Sequence, residues 1–118
     1  MLLQMRIWIR NFQNGSFKQT DQALGDLVNI ADFIAKDSVK YAVITVKRIR
    51  IAAKQLHSHQ LSGRMVPELA KKNIRELIIG NYRLIYSIVS FDRVDILTVH
   101  HSAKRLDLEQ FKKKKSLK

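Results

Sequence analysis

Thirteen consecutive residues, Ile74 to Tyr86, read IRELIIGNYRLIY and constrain the fold more than any other part of the chain. Two runs rich in Ile, Leu and Tyr meet at Gly80-Asn81, a pair that tolerates φ > 0 and suits a reversal between paired strands. Side chains alternate along a strand, so Tyr82, Leu84, Tyr86 and Ile88 share one face and Arg83, Ile85, Ser87 and Val89 the other. Arg83 therefore stands mid-strand beside Ile85. An arginine there calls for an acidic partner, water or a phosphate-like ligand at its head.

The rest of the chain supplies the helices such a sheet needs. Phe17 to Gln19 reads as a short strand, and Thr20 as the N-cap of a helix with Asp21 in its first turn. From Asp21 to about Lys36, Leu24, Leu27, Val28, Ala31, Ile34 and Ala35 recur at helical spacing, with Asp26, Asn29 and Asp32 elsewhere on the wheel. Asp37-Ser38 breaks the pattern. Ser38 caps a second helix in which Val39, Ala42, Val46, Ile49, Ala53 and Leu56 form the apolar stripe, and Lys40, Lys47, Arg48, Arg50 and Lys54 point outward. So short a turn makes the two helices an antiparallel hairpin. His57 to Gly63 is polar loop, Met65-Val66 a short β run ended by Pro67, and Val94 to His100 a last strand paired with Tyr82 to Val89. The expected fold class is α+β, an N-terminal antiparallel helical hairpin packed on a three- to four-stranded antiparallel sheet, with a short C-terminal helix or tail.

At 118 residues the chain holds one core, flanked by an N-terminal extension over 1–16 and a basic tail over 107–118. The absence of cysteine excludes disulfides and thiolate zinc sites and favours the cytoplasm. The opening MLLQMRIWIR is interrupted by Gln4, Arg6 and Arg10 and makes a poor signal peptide. No apolar run approaches the roughly 18 residues of a membrane span, so no membrane partner is expected. Twenty-two Lys and Arg against ten Asp and Glu leave a formal charge of +12, and the partners should be anionic.

The segments DQALGDLVNIADFIAKDSVKYA, GRMVPEL, IRELIIGNYRLIYSI and ILTVHHSAKRL, taken together and in this order, resemble the RelE/ParE family of bacterial toxin components from about Phe17 to Leu106. IREL, NYRLIY and the terminal HHSA look closer to its ParE-type plasmid stabilisation members. The resemblance implies the toxin of a type II toxin-antitoxin module, neutralised by a cognate antitoxin in a hetero-oligomer. Two targets come with it: ParE-like members inhibit DNA gyrase, and RelE-like members cleave mRNA on the ribosome. The positions matching the family's polar sites are Arg64, Arg75, Arg83, Tyr86 and His101. Lys104 stands where an arginine commonly follows the histidine, and residues 1–16 lie outside the resemblance.

RNA cleavage by the 2′-hydroxyl needs a proton acceptor, a proton donor and cations for the phosphorane charge. In an endoribonuclease, His101 would be base or acid, Tyr86 the hydroxyl donor, and Arg64, Arg75 and Arg83 the stabilisers. In a gyrase inhibitor, which the motifs favour, Arg64, Arg75, Arg83 and Lys104 would contact the target without catalysis. A third reading is a non-toxic, basic nucleic-acid-binding domain. His57-Ser58-His59 and His100-His101, without cysteine or a suitably spaced carboxylate, make an incomplete metal site. No glycine-rich phosphate loop is present, and no cofactor is expected. Of the arginines, Arg83 is assigned to an open basic groove with Arg75, so its loss should lower activity and spare stability.

Overall fold

Ser38 separates the two helices by capping the second, its hydroxyl accepting the Tyr41 N–H at 3.1 Å. The computed structural model describes residues 17–19, 21–103, 106 and 108. Helix α1 spans Asp21–Ala35 and α2 spans Val39–Gln55. They meet through Ala23, Leu27 and Ala31 on one side and Ala42, Val46, Ile49 and Ala53 on the other, all buried. Ala23 lies outside the apolar stripe read from the sequence.

Among the described residues five strands follow the order β1-β5-β4-β3-β2, where β1 is Phe17–Gln19, β2 Arg64–Met65, β3 Ile74–Ile79, β4 Tyr82–Ser90 and β5 Arg93–His101. Strands β2 to β5 run antiparallel, as expected. Strand β1 adds a parallel edge against β5, with Phe17 opposite Val94. The turn from β3 to β4 is Gly80-Asn81, and Gly80 adopts φ +59°, the left-handed conformation that glycine enters without a Cβ penalty. One Gln60–Ser62 turn of 3-10 helix interrupts the loop before β2. Strand β2 begins one residue earlier than the Met65-Val66 run, and Val66 closes the pairing through its N–H on the Ile74 carbonyl.

The sheet is covered on both faces. Tyr82, Leu84, Tyr86 and Ile88 pack with the helices, as alternation required. On the opposite face Ile85 joins Ile74, Leu97, Val66 and Leu106, with Leu69 against them. A bulge makes this possible: Ile85 lies opposite Thr98 and Tyr86 opposite Ile96, so Leu97 is the extra residue on β5. The expected C-terminal helix or tail and the N-terminal extension fall outside the described residues. No helix among the described residues is long and apolar enough to cross a membrane.

Asp26 ties α1 to the sheet edge. Its carboxylate accepts the Thr98 hydroxyl and, at 3.0 Å, the Val99 N–H. Pairing with β1 ends at Gln19 opposite Ile96, so Val99 lies beyond it, and the Asp26 side chain serves as the acceptor for its N–H. Asp26→Ala leaves both donors without that acceptor and should cost about 1–3 kcal/mol. Urea unfolding checks this, with a lower midpoint and an unchanged slope expected.

Candidate functional site

The pairing of β2, β3 and β4 brings together four charged side chains. Arg64 lies opposite Glu76 across β2 and β3, and Glu76 lies opposite Ile85, which makes Arg83 its diagonal neighbour on the same face. Glu76 is 1% exposed. The Arg83 Nε donates to its Oε1 at 2.6 Å and the Arg64 Nε to its Oε2 at 2.7 Å. Arg83 then turns its two terminal nitrogens to both oxygens of Glu68, each at 2.9 Å. This is a bidentate pair, the strong form of arginine recognition.

Glu68 belongs to a tight loop in which the Leu69 and Ala70 N–H groups both donate to the Val66 carbonyl. Its carboxyl is lowered to about 2, first by the hydrogen bonds from Arg83, against the opposing pull of desolvation. The same bonds raise Arg83 above the usual arginine range.

The expectation that Arg83 opens onto a basic groove with Arg75 is corrected by this geometry. Arg83 is buried among carboxylates, because a guanidinium placed mid-strand on the same face as buried Ile85 must find compensating charge. Arg75 lies on the other face, opposite Tyr86. Its Nη1 donates to the Gly63 carbonyl at 2.9 Å and its Nε to the Lys72 carbonyl at 3.1 Å.

Tyr86 is fully buried on that helix-facing side. Its hydroxyl donates to the Gln60 carbonyl and accepts the Gly63 N–H at 3.0 Å. Burial raises its pKa. The loop approaches so closely that a Cβ on Gly63 would lie 2.5 Å from the Glu76 carbonyl oxygen and 2.7 Å from the tyrosine hydroxyl. Gly63 is required there for want of room.

His101 sits at the far end of β5, opposite Tyr82, whose ring it meets edge to face at 5.3 Å. Its Nδ1 accepts the Ala103 N–H at 3.1 Å, leaving Nε2 to carry the proton of the neutral ring. From the level of Tyr82 to that of Tyr86 is about 13 Å along a strand. The structure thus sorts the five described candidates into three places: Arg64 and Arg83 on the outer face, Arg75 and Tyr86 near Gly63, and His101 at the opposite end of the sheet. Lys104 lies outside the described residues.

Sequence reasoning missed the acids that organise these cations. Glu76 shares parity with Ile74 on β3, but only the β3–β4 register sets that face beside Arg83, and Glu68 reaches it from a loop outside the strands. It also missed Gln60, whose amide donates to the Ser90 and Phe91 carbonyls at 2.9 and 3.1 Å and pins the loop to the β4–β5 turn.

Compared with known proteins, the chain matches the family described as ParE toxin of type II toxin-antitoxin system, parDE, over residues 17–106. A solved structure described as the chromosomal ParDE TA system from P. aeruginosa superposes with a TM-score of 0.61 at 22% identity, over 74% of this chain and 95% of that one. That likeness bears on the fold. No curated protein sequence matches the chain.

Two outcomes follow from the charge cluster. Arg83→Ala strands Glu76 with only the exposed Arg64, and should destabilise the protein by about 3 kcal/mol, seen as a lower thermal midpoint. For Glu68 the sign is that of a depressed carboxyl. Its contribution is present in full above the unfolded pKa, about 4.3, and is lost as pH falls toward about 2. In acid titrations of stability, Glu68→Gln should flatten the slope in that window and leave neutral pH behaviour parallel to the parent.

Proposed function

The chain belongs to the ParE toxin family of type II toxin-antitoxin systems, and from that premise we propose that it arrests growth by binding DNA gyrase and is held inactive by a cognate antitoxin. The observation that carries the choice of target is the dispersal of the polar residues. An endoribonuclease needs its proton acceptor, donor and cations around one phosphate. Here the Tyr86 hydroxyl is engaged by backbone groups, and His101 stands about 13 Å away along the strand direction. Arg64 and Arg83 face the other side of the sheet. Binding without catalysis places no such demand.

Arg64 is the leading target contact among the arginines. Its side chain is 65% exposed while its Nε is fixed on buried Glu76, so the outer edge of the guanidinium meets solvent in a held orientation. That arrangement suits recognition of a carboxylate or phosphate. Arg75, half-buried and bonded to two carbonyls, and Lys104 extend the proposed contact set. The formal charge of +12 favours fast capture by an acidic antitoxin segment.

Induction without the antitoxin should arrest growth, with DNA synthesis falling before protein synthesis in pulse labelling. Early loss of translation accompanied by mRNA cut within codons would instead establish the ribosome-dependent endonuclease. Undiminished growth with soluble protein present would remove the toxin reading for this chain.

A further inference from the structure

Helix α2 and the β3–β4 turn enclose a cavity of about 90 Å³ whose polar lining is rich in hydrogen-bond donors. Tyr41, Thr45 and Arg48 reach it from α2, Gly80, Asn81 and Tyr82 from the turn and the start of β4, and two isoleucines complete the wall. Tyr41, Thr45 and Arg48 follow at intervals of four and three residues, which sets them on one face of the helix. Thr45 is 8% exposed, and the surface it keeps opens on the cavity.

Among the described residues, no hydrogen bond or ion pair engages the Thr45 hydroxyl, the Arg48 guanidinium or the hydroxyls of Tyr41 and Tyr82. A hydroxyl as buried as that of Thr45 is costly to leave without a partner, and the cavity is the side from which one can reach it. Burial raises the pKa of Tyr82, and the nearness of Tyr41 adds to the rise, so the Tyr82 phenol keeps its proton to donate. The Arg48 guanidinium lies against the turn, where a Cβ on Gly80 would be 3.5 Å from its Nη1 and 3.8 Å from its Nη2. None of the described residues lining the cavity is an acid, and α2 contains none.

The number and direction of these donors select the ligand. An arginine fork alone matches the two oxygens of a planar carboxylate. Here hydroxyls from a helix and from a strand add to the fork, and a tetrahedral anion, which presents oxygens on every side, can meet donors from both elements together. The cavity has room for several waters, or for one phosphate-sized group in their place. We infer that it is a binding site for a phosphate group, free or at the end of a small ester, held by the Arg48 guanidinium and the hydroxyls of Tyr41, Thr45 and Tyr82. The inference stands apart from the target and antitoxin readings above, because the ligand is a small anion.

The test titrates the full chain with inorganic phosphate in place of chloride at constant ionic strength, followed through the backbone amide NMR signals of Thr45, Gly80 and Tyr82. Saturable shifts confined to α2 and the turn are expected. Arg48→Gln, Thr45→Val and Tyr82→Phe should each weaken binding by about tenfold. Thr45→Val keeps the side-chain volume, so it provides a second route if another variant disturbs folding. Lys47→Gln removes the same charge from α2 outside the cavity and should bind as the parent does. Adenosine 5′-monophosphate as a second probe separates the sources: tighter binding with the same dependence on Arg48 assigns an ester, and weaker binding assigns the free ion. Shifts that do not saturate, equal losses in Lys47→Gln and Arg48→Gln, or acetate bound as tightly as phosphate would each overturn the site, showing a response to the general positive field or to any anion.

Discussion

A carboxylate removed from water must be compensated by hydrogen bonds and opposite charge, and Glu76 on β3 is such a group, lying between β2 and β4. One of its oxygens takes the Nε of Arg83 on β4 and the other the Nε of Arg64 on β2. Three strands are thereby tied at one point. Arg83 carries the constraint onward by gripping Glu68 with its remaining edge, which draws the Val66–Ala70 loop over Ile74, Ile85 and Leu97. Desolvating Glu76 and Arg83, the two buried members, costs several kcal/mol each. The cluster therefore adds little net stability compared with an apolar core of similar volume. What it imposes is register, since a one-residue slip of β3 would turn Glu76 away from both arginines.

The same register decides where chemistry can occur. Alternation sends Arg64 and Arg83 to one face, Arg75, Tyr86 and His101 to the other, and the length of the sheet separates the last two. Each polar group is then claimed locally: Tyr86 by Gln60 and Gly63, Arg75 by Gly63 and Lys72, Arg83 by the two glutamates. A family pattern that lines up five polar residues in sequence therefore yields a braced scaffold. The exposed guanidinium of Arg64 remains available to partners, which suits recognition by surface contact.

The legible parts of the sequence were those governed by short-range periodicity. The helical stripe of α2, the Ser38 cap, the Gly80-Asn81 turn and the two faces of β4 all follow from spacing within one element. The missing parts depended on pairing between elements. Nothing local shows that Glu76 sits beside Arg83, because the β3–β4 register creates that neighbour. The parallel pairing of β1 and the bulge at Leu97 are likewise set by tertiary packing. Asp26 falls off the apolar stripe of α1, and only its position beside β5 beyond the β1 pairing makes it a cap for Thr98 and Val99. Arg83 shows the limit most clearly. Its unusual place mid-strand was visible, its need for a partner was stated, and the choice between a buried carboxylate and an open groove required the fold.

The central claim, that the Arg83 and Glu76 charges form a structural unit, is tested most directly by a double-mutant cycle on folding stability. Arg83→Ala alone leaves a buried anion short of its partner, Glu76→Ala alone leaves a buried cation short of one, and the double variant removes both charges. The account predicts strong coupling, with the double variant losing far less stability than the sum of the single losses and approaching or exceeding the stability of the worse single variant. Additive losses would contradict it, showing that the two side chains contribute independently and that the register is held by something else.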